Sequence, residues 1–210
     1  MTLDIIEVPT SKTAQHLLVL LHGWGASARD VAGLANYLAL EHTQLLFPNG
    51  PFPHPMAPGG RMWYSFPASY DFQSPHNFEQ QRDLQQSRQL LMDWLQSLPE
   101  VTGIPLERTI LGGFSQGGAM TLDVGPRLPL AGMMVLSGYA HSPIAPVVSP
   151  RPILMIHGRQ DPVVPLARAG EAKAQLQAQN LAVDYQEFDM GHEISLPALQ
   201  IVGRFCQDQR

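Results

Sequence analysis

Apolar residues come in short runs separated by longer amphipathic segments, and this pattern predicts β-strands that alternate with α-helices. Nearly continuous apolar runs are typical of strands that are buried on both faces of a sheet. The predicted strands are Leu3–Val8, His16–Leu21, Gln44–Phe47, Gly132–Ser137, Ile153–His157 and Val183–Phe188, and the predicted helices are Ala28–Leu40, Asn77–Leu98, Leu166–Asn180 and Ser195–Cys206. Strands followed repeatedly by helices predict an α/β fold, with a mainly parallel sheet covered by helices on both faces. At 210 residues, we expect one domain over residues 1–210.

The segment Asn77–Leu98 is the clearest of the predicted helices, because its leucines at 84, 91, 95 and 98 fall on one stripe. Asn77 is a suitable N-cap, and Pro99 is expected to end the helix because proline has no backbone N–H. Its Gln, Arg and Asp residues predict a solvated face.

A sharp turn around Ser115 is the strongest chemical signal. Thr109–Met120 predicts a short strand, a turn and a helix, and Gly113–Gly117 matches the G-x-S-x-G pattern of a nucleophile elbow. Glycines two positions before and after Ser115 remove the Cβ atoms that would clash across the turn. The helix that follows would stabilise negative charge beside the serine. The alternative is an ordinary serine in a glycine-rich turn.

A second glycine-spaced loop, His22–Ser27, follows the buried strand His16–Leu21. Loops at the carboxyl ends of parallel strands are where open α/β sheets bind ligands. In a serine hydrolase such a loop supplies one backbone donor to the oxyanion, here Trp24, and the residue after the nucleophile, Gln116, supplies the other. The alternative is a plain turn in which Ser27 caps the next helix.

The segment Pro48–His76 combines a high density of prolines with many large apolar residues. The prolines exclude a continuous helix or a central strand. The large residues are Phe52, Met56, Met62, Trp63, Tyr64, Phe66, Tyr70 and Phe72. Long irregular loops in compact domains are usually functional, so we expect this one to line an apolar pocket. The alternative is that its aromatic side chains only attach the loop to the core.

An acid and a base follow the last two predicted strands. Asp161 lies in the loop after Ile153–His157, and His192 follows Val183–Phe188. With Ser115 as nucleophile, His192 would accept the serine proton and Asp161 would orient the imidazole. Substrate contacts are expected from four side chains: Met62, Trp63, Tyr64 and Val164.

Other residues compete for these roles. His157 lies inside a predicted buried strand, and the ring of His22 is expected to brace its loop. Asp184 and Asp189 are too close to His192 along the chain for the usual arrangement. The histidines show neither an H-E-x-x-H motif nor clustered spacing, so no catalytic metal is expected. Phosphate-binding and dinucleotide-binding glycine patterns are also missing, so no cofactor is expected.

Composition narrows the range of partners. With 44% hydrophobic and 15% charged residues the chain is globular, and its net charge of −5, without a basic run, argues against nucleic acid. The single cysteine, Cys206, suits a reducing compartment and is expected to be a buried small hydrophobe. Neither a signal peptide nor an apolar run long enough to span a membrane is found, which predicts a cytoplasmic protein without integral membrane association. A homodimer remains open.

Five blocks resemble the phospholipase/carboxylesterase family, which includes bacterial carboxylesterases and acyl-protein thioesterases. They are L-H-G-W-G (21–25), W-Y (63–64), G-F-S-Q-G-G (113–118), H-G-R-Q-D-P-V-V-P (157–165) and G-H-E-I (191–194). The resemblance implies an α/β-hydrolase fold without a separate lid domain. It also implies a triad of Ser115, Asp161 and His192, with oxyanion donors at Trp24 and Gln116.

Two departures from the family pattern leave the triad untouched, and the bulky Trp24, together with the Pro-rich loop, bears on the size of the substrate. The chain has Trp24-Gly25-Ala26 where the family has a small apolar residue followed by Gly-Asp, and Ser65 where W-Y-D is common. The leading hypothesis is a serine carboxylesterase that hydrolyses small to medium carboxylic esters through an acyl-enzyme. Thioester and lysophospholipid cleavage are alternatives within that class. The alternative from another class is a non-catalytic protein of the same fold that binds a ligand or partner.

Overall fold

The computed structural model describes residues 3–10, 12–67, 70–72, 78–141 and 143–209. Its centre is a seven-stranded sheet. The strands of this sheet are Ile5–Val8 (β1), His16–Leu21 (β2), Thr43–Pro48 (β3), Thr109–Phe114 (β6), Gly132–Leu136 (β7), Ile153–Gly158 (β8) and Val183–Phe188 (β9). Their order across the sheet is β1-β3-β2-β6-β7-β8-β9. Only β1 runs antiparallel to its neighbour, and the other pairs are parallel. The predicted mainly parallel sheet is confirmed.

Five helices cover the two faces of this sheet. They are Ala28–Ala32 (α1), Arg82–Thr102 (α2), Gln116–Val124 (α3), Leu166–Ala178 (α4) and Leu196–Asp208 (α5). Helices α2, α3 and α4 contribute to one apolar cluster, and α1 and α5 contribute to the other. Strand β2 contributes side chains to both clusters. Leu17, Val19 and Leu21 belong to the first, and Leu18 and Leu20 belong to the second. Because successive side chains point to opposite faces, the continuous apolar run of β2 fills both layers of the core.

The predicted helix over Ala28–Leu40 is wrong in its length. The α-helix ends at Ala32, a 3₁₀-helix follows over Gly33–Tyr37, and Leu38 is extended. Gly33 has a low helix propensity, which favours the change at this point. The extended backbone that follows buries Leu38, which is 5% exposed, in the same cluster as α5.

Pro99 does not end α2, contrary to the expectation from sequence. The helix continues to Thr102 and ends at Gly103, whose φ of 73° is left-handed and whose N–H donates to the Pro99 carbonyl at 3.0 Å. Proline removes one hydrogen bond near the end of a long helix, whereas glycine is the residue that adopts this left-handed end most readily. The expected N-cap, Asn77, lies outside the described residues.

The Pro-rich segment contains a small hairpin, formed by Phe52–Pro53 (β4) and Arg61–Met62 (β5). On the opposite side of the sheet, Cys206 is 3% exposed and lies 3.8 Å from the Met134 sulfur. The thiol is therefore part of the core, as predicted. In the part of the chain that the structure describes, no helix has the length and apolar character needed to cross a membrane.

Candidate active site

Ser115 lies in the turn between β6 and α3, with φ 54° and ψ −115°. This conformation is costly for a residue with a side chain, and the surrounding contacts hold it in place. The Ser115 N–H donates to the Leu136 carbonyl at 2.8 Å. A Cβ on Gly113 would lie 2.2 Å from the Gly117 carbonyl oxygen, and one on Gly117 would lie 2.3 Å from that of Leu21. Glycine is therefore required at both positions for the turn to pack against β2.

His192 joins Ser115 to Asp161. Its Nε2 lies 2.9 Å from Ser115 Oγ, and its Nδ1 lies 2.7 Å from Asp161 Oδ2. Because the carboxylate accepts, the proton of a neutral imidazole belongs on Nδ1, which leaves Nε2 free to accept from the serine hydroxyl. Ser115 is 9% exposed, and the His192 side chain is 16% exposed. The three side chains therefore form a continuous path whose serine end is accessible.

The Asp161 carboxylate is held by its own loop. Its Oδ1 accepts from the N–H groups of Val163 at 2.8 Å and Val164 at 2.9 Å. His157 Nε2 donates to the Val164 carbonyl at 2.9 Å and lies 3.5 Å from Asp161 Oδ2. The Asp161 side chain is fully buried. These contacts hold its carboxylate in the orientation in which Oδ2 points at His192.

Backbone contacts between the loops after β8 and β9 set the distance between Asp161 and His192. Arg159 N–H donates to the Phe188 carbonyl at 2.9 Å, and Gln160 N–H donates to that of Met190 at 3.2 Å. A Cβ on Gly158 would lie 2.3 Å from the Met190 carbonyl oxygen. The loops approach this closely because β8 ends in glycine.

The rival acids and histidines have other partners, although His157 also lies behind Asp161. Asp189 is on the surface and pairs with Arg159 at 2.8 Å, while Asp184 accepts from Gln186 at 3.1 Å. His157 and His22 are both buried, at 1% and 0% exposed. Burial lowers the pKa of His22 to about 4, against the opposing effect of its hydrogen bond to Gly23. As expected from sequence, the His22 ring braces its own loop.

The two predicted oxyanion donors belong to segments that adjoin Ser115. Gln116 opens α3, so its N–H is among those that a helix leaves without an internal partner. The Trp24 loop is adjacent, since a Cβ on Gly23 would lie 3.4 Å from Ser115 Cβ. Among the described residues, no acceptor is hydrogen-bonded to the N–H of either Trp24 or Gln116. Both stay candidate donors for an oxyanion.

Trp24 belongs to this loop, and the residue is 39% exposed. It lies edge-on to His54, with ring centroids 4.1 Å apart, and to Phe66, with centroids 5.6 Å apart. Phe66 stacks in turn on Tyr70 at 5.3 Å. Aromatic rings of the Pro-rich segment thus pack beside Trp24, and the expectation that this segment lines an apolar pocket stays a prediction.

Three of the four predicted substrate contacts are in the core. Trp63, Tyr64 and Val164 are each 0% exposed, and only Met62 is partly exposed. The Tyr64 hydroxyl is hydrogen-bonded to Tyr139, and burial raises its pKa well above the ordinary value. In this structure none of the three buried side chains offers surface to a substrate. The prediction of direct contact therefore needs correction for Trp63, Tyr64 and Val164.

Sequence reasoning missed a buried polar network behind the loop. His141 Nε2 lies 2.7 Å from the Tyr64 hydroxyl, and its Nδ1 lies 3.4 Å from Asp123. Arg88 Nε donates to both Asp123 oxygens, at 2.8 and 3.0 Å. Burial alone would raise the pKa of the Asp123 carboxyl, but His141 and Arg88 outweigh it and the pKa is lowered. These residues come from distant segments with no shared motif, so nothing in the sequence groups them.

A parallel sheet with a serine in a strand–turn–helix, and an acid and a histidine after later strands, defines the α/β-hydrolase arrangement. The phospholipase/carboxylesterase family model matches residues 3–209, and the chain belongs to this family. The predicted resemblance and fold class are confirmed, and family membership makes the chain a hydrolase of ester-type bonds.

Individual relatives agree with this assignment. The chain is 29% identical to acyl-protein thioesterase 1 of Kluyveromyces lactis, over 98% of this chain and 97% of the relative. It is 26% identical to esterase YpfH of Escherichia coli, with coverage of 93% and 83%. The crystal structure of esterase PE8 superposes with a TM-score of 0.88 at 28% identity, covering 100% of both chains.

Proposed function

We propose that the chain is a serine carboxylesterase in which Ser115 is the nucleophile, His192 the general base and Asp161 the residue that orients His192. One observation carries the proposal: the His192 ring lies within hydrogen-bond distance of both Ser115 Oγ, at 2.9 Å, and Asp161 Oδ2, at 2.7 Å. A serine hydroxyl is a weak nucleophile until an adjacent base accepts its proton.

In the acylation step, Ser115 Oγ forms a bond to the ester carbonyl carbon while its proton moves to His192 Nε2. Asp161 stabilises the imidazolium that results. The carbonyl oxygen becomes negatively charged and accepts hydrogen bonds from two N–H groups. These belong to Gln116, at the N-terminus of α3, and to Trp24, in the adjacent loop. The intermediate then collapses, and His192 gives its proton to the departing alcohol.

In deacylation, water attacks the acyl-Ser115 ester and loses its proton to His192. The same two N–H groups stabilise the second intermediate. Its collapse returns the proton to Ser115 and releases the carboxylic acid. Every step uses groups of the protein and water, in keeping with the prediction of no cofactor.

Small to medium esters are the proposed substrates. The indole of Trp24 in the proposed oxyanion loop packs edge-on to Phe66, which stacks on Tyr70, so one side of the loop carries aromatic surface. This surface favours an apolar acyl or alcohol group of limited length. Thioesterase activity is the second candidate, because the Kluyveromyces lactis relative is named an acyl-protein thioesterase. We keep the cytoplasm as the proposed location.

The first test is covalent labelling with a fluorophosphonate probe, followed by mapping of the labelled peptide. We expect the label on Ser115, and Ser115→Ala is expected to lower kcat by ~10³-fold or more while the melting temperature is retained. Ser97→Ala is the matched control, because that hydroxyl donates to the Trp94 carbonyl within α2 at 2.7 Å. Folded protein that is not labelled at Ser115 would favour the non-catalytic binding protein.

The substrate class is tested with p-nitrophenyl esters from acetyl to palmitoyl and a parallel series of acyl thioesters. Highest kcat/KM with short acyl esters supports the carboxylesterase. Rates that rise toward long chains, and more so for thioesters, would support an acyl-protein thioesterase instead.

A further inference from the structure

We propose that Trp63 is a positioning residue that fixes the two backbone N–H groups of the oxyanion site relative to each other. The inference rests on the proposed function, since it assigns the donors to Trp24 and Gln116. It replaces the sequence-based expectation that Trp63 contacts the substrate.

All three hydrogen-bonding groups of Trp63 are bound to different segments of the protein. Its N–H donates to Gln116 Oε1 at 2.8 Å, its carbonyl accepts from the Ser87 hydroxyl, and its indole Nε1–H donates to the His22 carbonyl at 3.1 Å. Trp63, Gln116, Ser87 and His22 are each 0% exposed. In such an interior, an unmade hydrogen bond is costly, so the arrangement has little freedom.

One path leads from Trp63 to the N–H of Gln116. The Gln116 side chain accepts from Trp63 N–H and donates through Nε2 to the Tyr64 carbonyl at 2.8 Å. This two-point contact binds the first residue of α3 to the backbone of the Pro-rich segment. The side chain of Gln116 therefore holds the residue whose backbone N–H faces the oxyanion.

The other path leads from Trp63 to the N–H of Trp24. The Trp63 indole holds the His22 carbonyl and stacks on the His22 ring, with centroids 5.5 Å apart. The His22 ring donates from Nδ1 to the Gly23 carbonyl at 2.7 Å and accepts at Nε2 from Gly50 N–H at 2.8 Å. The Gly23 carbonyl and the Trp24 N–H belong to one planar trans peptide and point in opposite directions. Fixing the carbonyl therefore fixes the direction of the donor.

The two paths meet in a single residue, because the backbone N–H of Trp63 binds Gln116 and its indole N–H binds the His22 carbonyl. A change of the indole acts on the Trp24 donor, and a change of the Gln116 side chain acts on the other donor. Donors stabilise an oxyanion when they lie about 2.7–3.1 Å from the position that the charge will occupy. A displacement of about 1 Å in a catalytic site can cost ~10²-fold in rate. The effect falls on the transition state, because an uncharged ester carbonyl depends less on these donors.

The test is Trp63→Phe, which keeps an aromatic ring and the backbone contacts but removes the indole N–H. Leu95→Ala is the matched control for loss of packing, because Leu95 is 0% exposed and lies in the same apolar cluster. For each protein, kcat and KM are measured with one short-chain ester. A trifluoromethyl ketone analogue of that ester, which forms a charged hemiketal with the serine, reports on the oxyanion donors.

We expect Trp63→Phe to lower kcat by ~10- to 100-fold with KM changed less than about 3-fold, consistent with small misplacement of catalytic groups. Its affinity for the trifluoromethyl ketone should fall in proportion to kcat/KM. Leu95→Ala should lower the melting temperature but leave both quantities within about 3-fold. A purely structural role would give the same pattern in both variants and overturn the inference, as would a Trp63→Phe enzyme with wild-type kcat and ketone affinity.

Gln116→Met keeps the inference testable if Trp63→Phe does not fold. It removes the contact with the Trp63 N–H but keeps the backbone donor of Gln116, and we expect the same joint loss of kcat and ketone affinity. A change confined to KM in this variant would overturn the proposal. A wild-type protein that neither turns over esters nor labels with fluorophosphonate would instead refute the proposed function, so the two failures are distinguishable.

Discussion

The candidate site has two halves that the chain builds in different ways. In one half, Ser115, Asp161 and His192 each lie just after a strand of the parallel sheet, and backbone hydrogen bonds between neighbouring loops hold them. The other half is the aromatic segment, which we define as residues 49–67 and 70–72. It lies outside the main sheet and has only the short β4–β5 hairpin of its own.

The aromatic segment is held largely by side chains that reach it from elsewhere. The Asp83 carboxylate accepts from the Ser65 N–H at 2.8 Å and from the Ser65 hydroxyl. Arg168 donates to the Phe72 carbonyl, and Gln116 is bonded to Trp63. Each of these contacts depends on one or two side chains, whereas a sheet distributes the same task over many backbone groups.

In the proposed function, the triad half carries out the chemistry and the aromatic segment selects the substrate. Parallel strands bring the residues at their carboxyl ends to one edge, so the geometry of the triad follows from the fold itself. Several contacts of the aromatic segment depend on single side chains, so we expect substitutions of those side chains to leave the sheet in place. We therefore expect changes at the triad to abolish turnover, and changes at supports of the aromatic segment away from Trp63 and Gln116, such as Arg168, to alter substrate binding.

The largest effect is expected at Asp161. In Asp161→Asn the amide would donate to His192 rather than accept, so the imidazole proton would move to Nε2 and the ring could no longer accept from Ser115. By analogy with the same change in other Ser-His-Asp triads, kcat should fall by ~10³- to 10⁴-fold. Steady-state kinetics with a p-nitrophenyl ester measures the loss.

Asp189→Asn is the control for this prediction. It removes the same charge from a neighbouring loop, but Asp189 is a surface residue bound to Arg159. We expect its kcat to stay within about 2-fold of wild type, since exposed pairs contribute little. Equal rates for Asp161→Asn and the wild type would show that another group orients His192.

A pH effect is expected where the two halves meet, at the His22 ring. The ring connects the loop after β2 to Gly50 of the aromatic segment, at 2.8 Å. Burial lowers the pKa of His22 from 6.5 to about 4, while the Gly23 carbonyl and Asp30 oppose the shift and Arg61 adds to it. Between about pH 4 and pH 6.5, His22 binds a proton in the unfolded chain but not in the native state. Stability is therefore fully present above pH 6.5 and is lost as the pH falls toward 4.

A shift of this size corresponds to about 3 kcal/mol, at about 1.4 kcal/mol for each pH unit. Urea unfolding at about pH 6.5 and 4.5 measures the loss in the wild type and in His22→Asn. The variant keeps a donor toward the Gly23 carbonyl but does not titrate, so its loss should be smaller by about 2–3 kcal/mol. An identical loss in both proteins would contradict the burial of a neutral His22.

The sequence predicted the triad half better than the aromatic half, for a physical reason. Ser115, Asp161 and His192 each follow a recognisable strand, and the glycines around them have a steric cause that sequence spacing reveals. Trp63 and Tyr64 were predicted as substrate contacts because their segment is rich in aromatic residues. Composition gives the apolar character of a loop, but not which of its side chains turn inward.

The partners of the aromatic segment explain why its structure could not be predicted. Arg168 lies 96 positions from Phe72, and Gln116 lies 53 positions from Trp63. No periodicity connects such pairs, and each looks like an ordinary polar residue of its helix. The prediction that α2 ends at Pro99 was wrong for a similar reason. The buried leucine stripe and Gly103 determine the end of the helix more strongly than the missing N–H of Pro99 does.

The smallest effect is expected where Arg168 of α4 meets the aromatic segment. Its guanidinium donates from Nε to the Phe72 carbonyl at 2.7 Å and pairs with Glu171 at 2.9 Å. Phe72 has a φ of 60°, a left-handed conformation that is costly for a phenylalanine and needs support from its surroundings. A hydrogen bond from a charged donor contributes about 1.5–3 kcal/mol, and partial exposure of Arg168 reduces that figure.

Arg168→Met should therefore loosen this end of the aromatic segment without affecting the triad. We expect KM for a medium-chain ester to change by about 3- to 10-fold with kcat within about 2-fold, and limited proteolysis near Phe72 to become faster. Lys173→Met is the matched control, since Lys173 is a cation of the same helix whose Nζ lies 4.6 Å from the Tyr185 ring centroid instead. A fall in kcat with unchanged KM would show that Arg168 supports the catalytic half. Equal proteolysis of the two variants would show that the segment is held without Arg168.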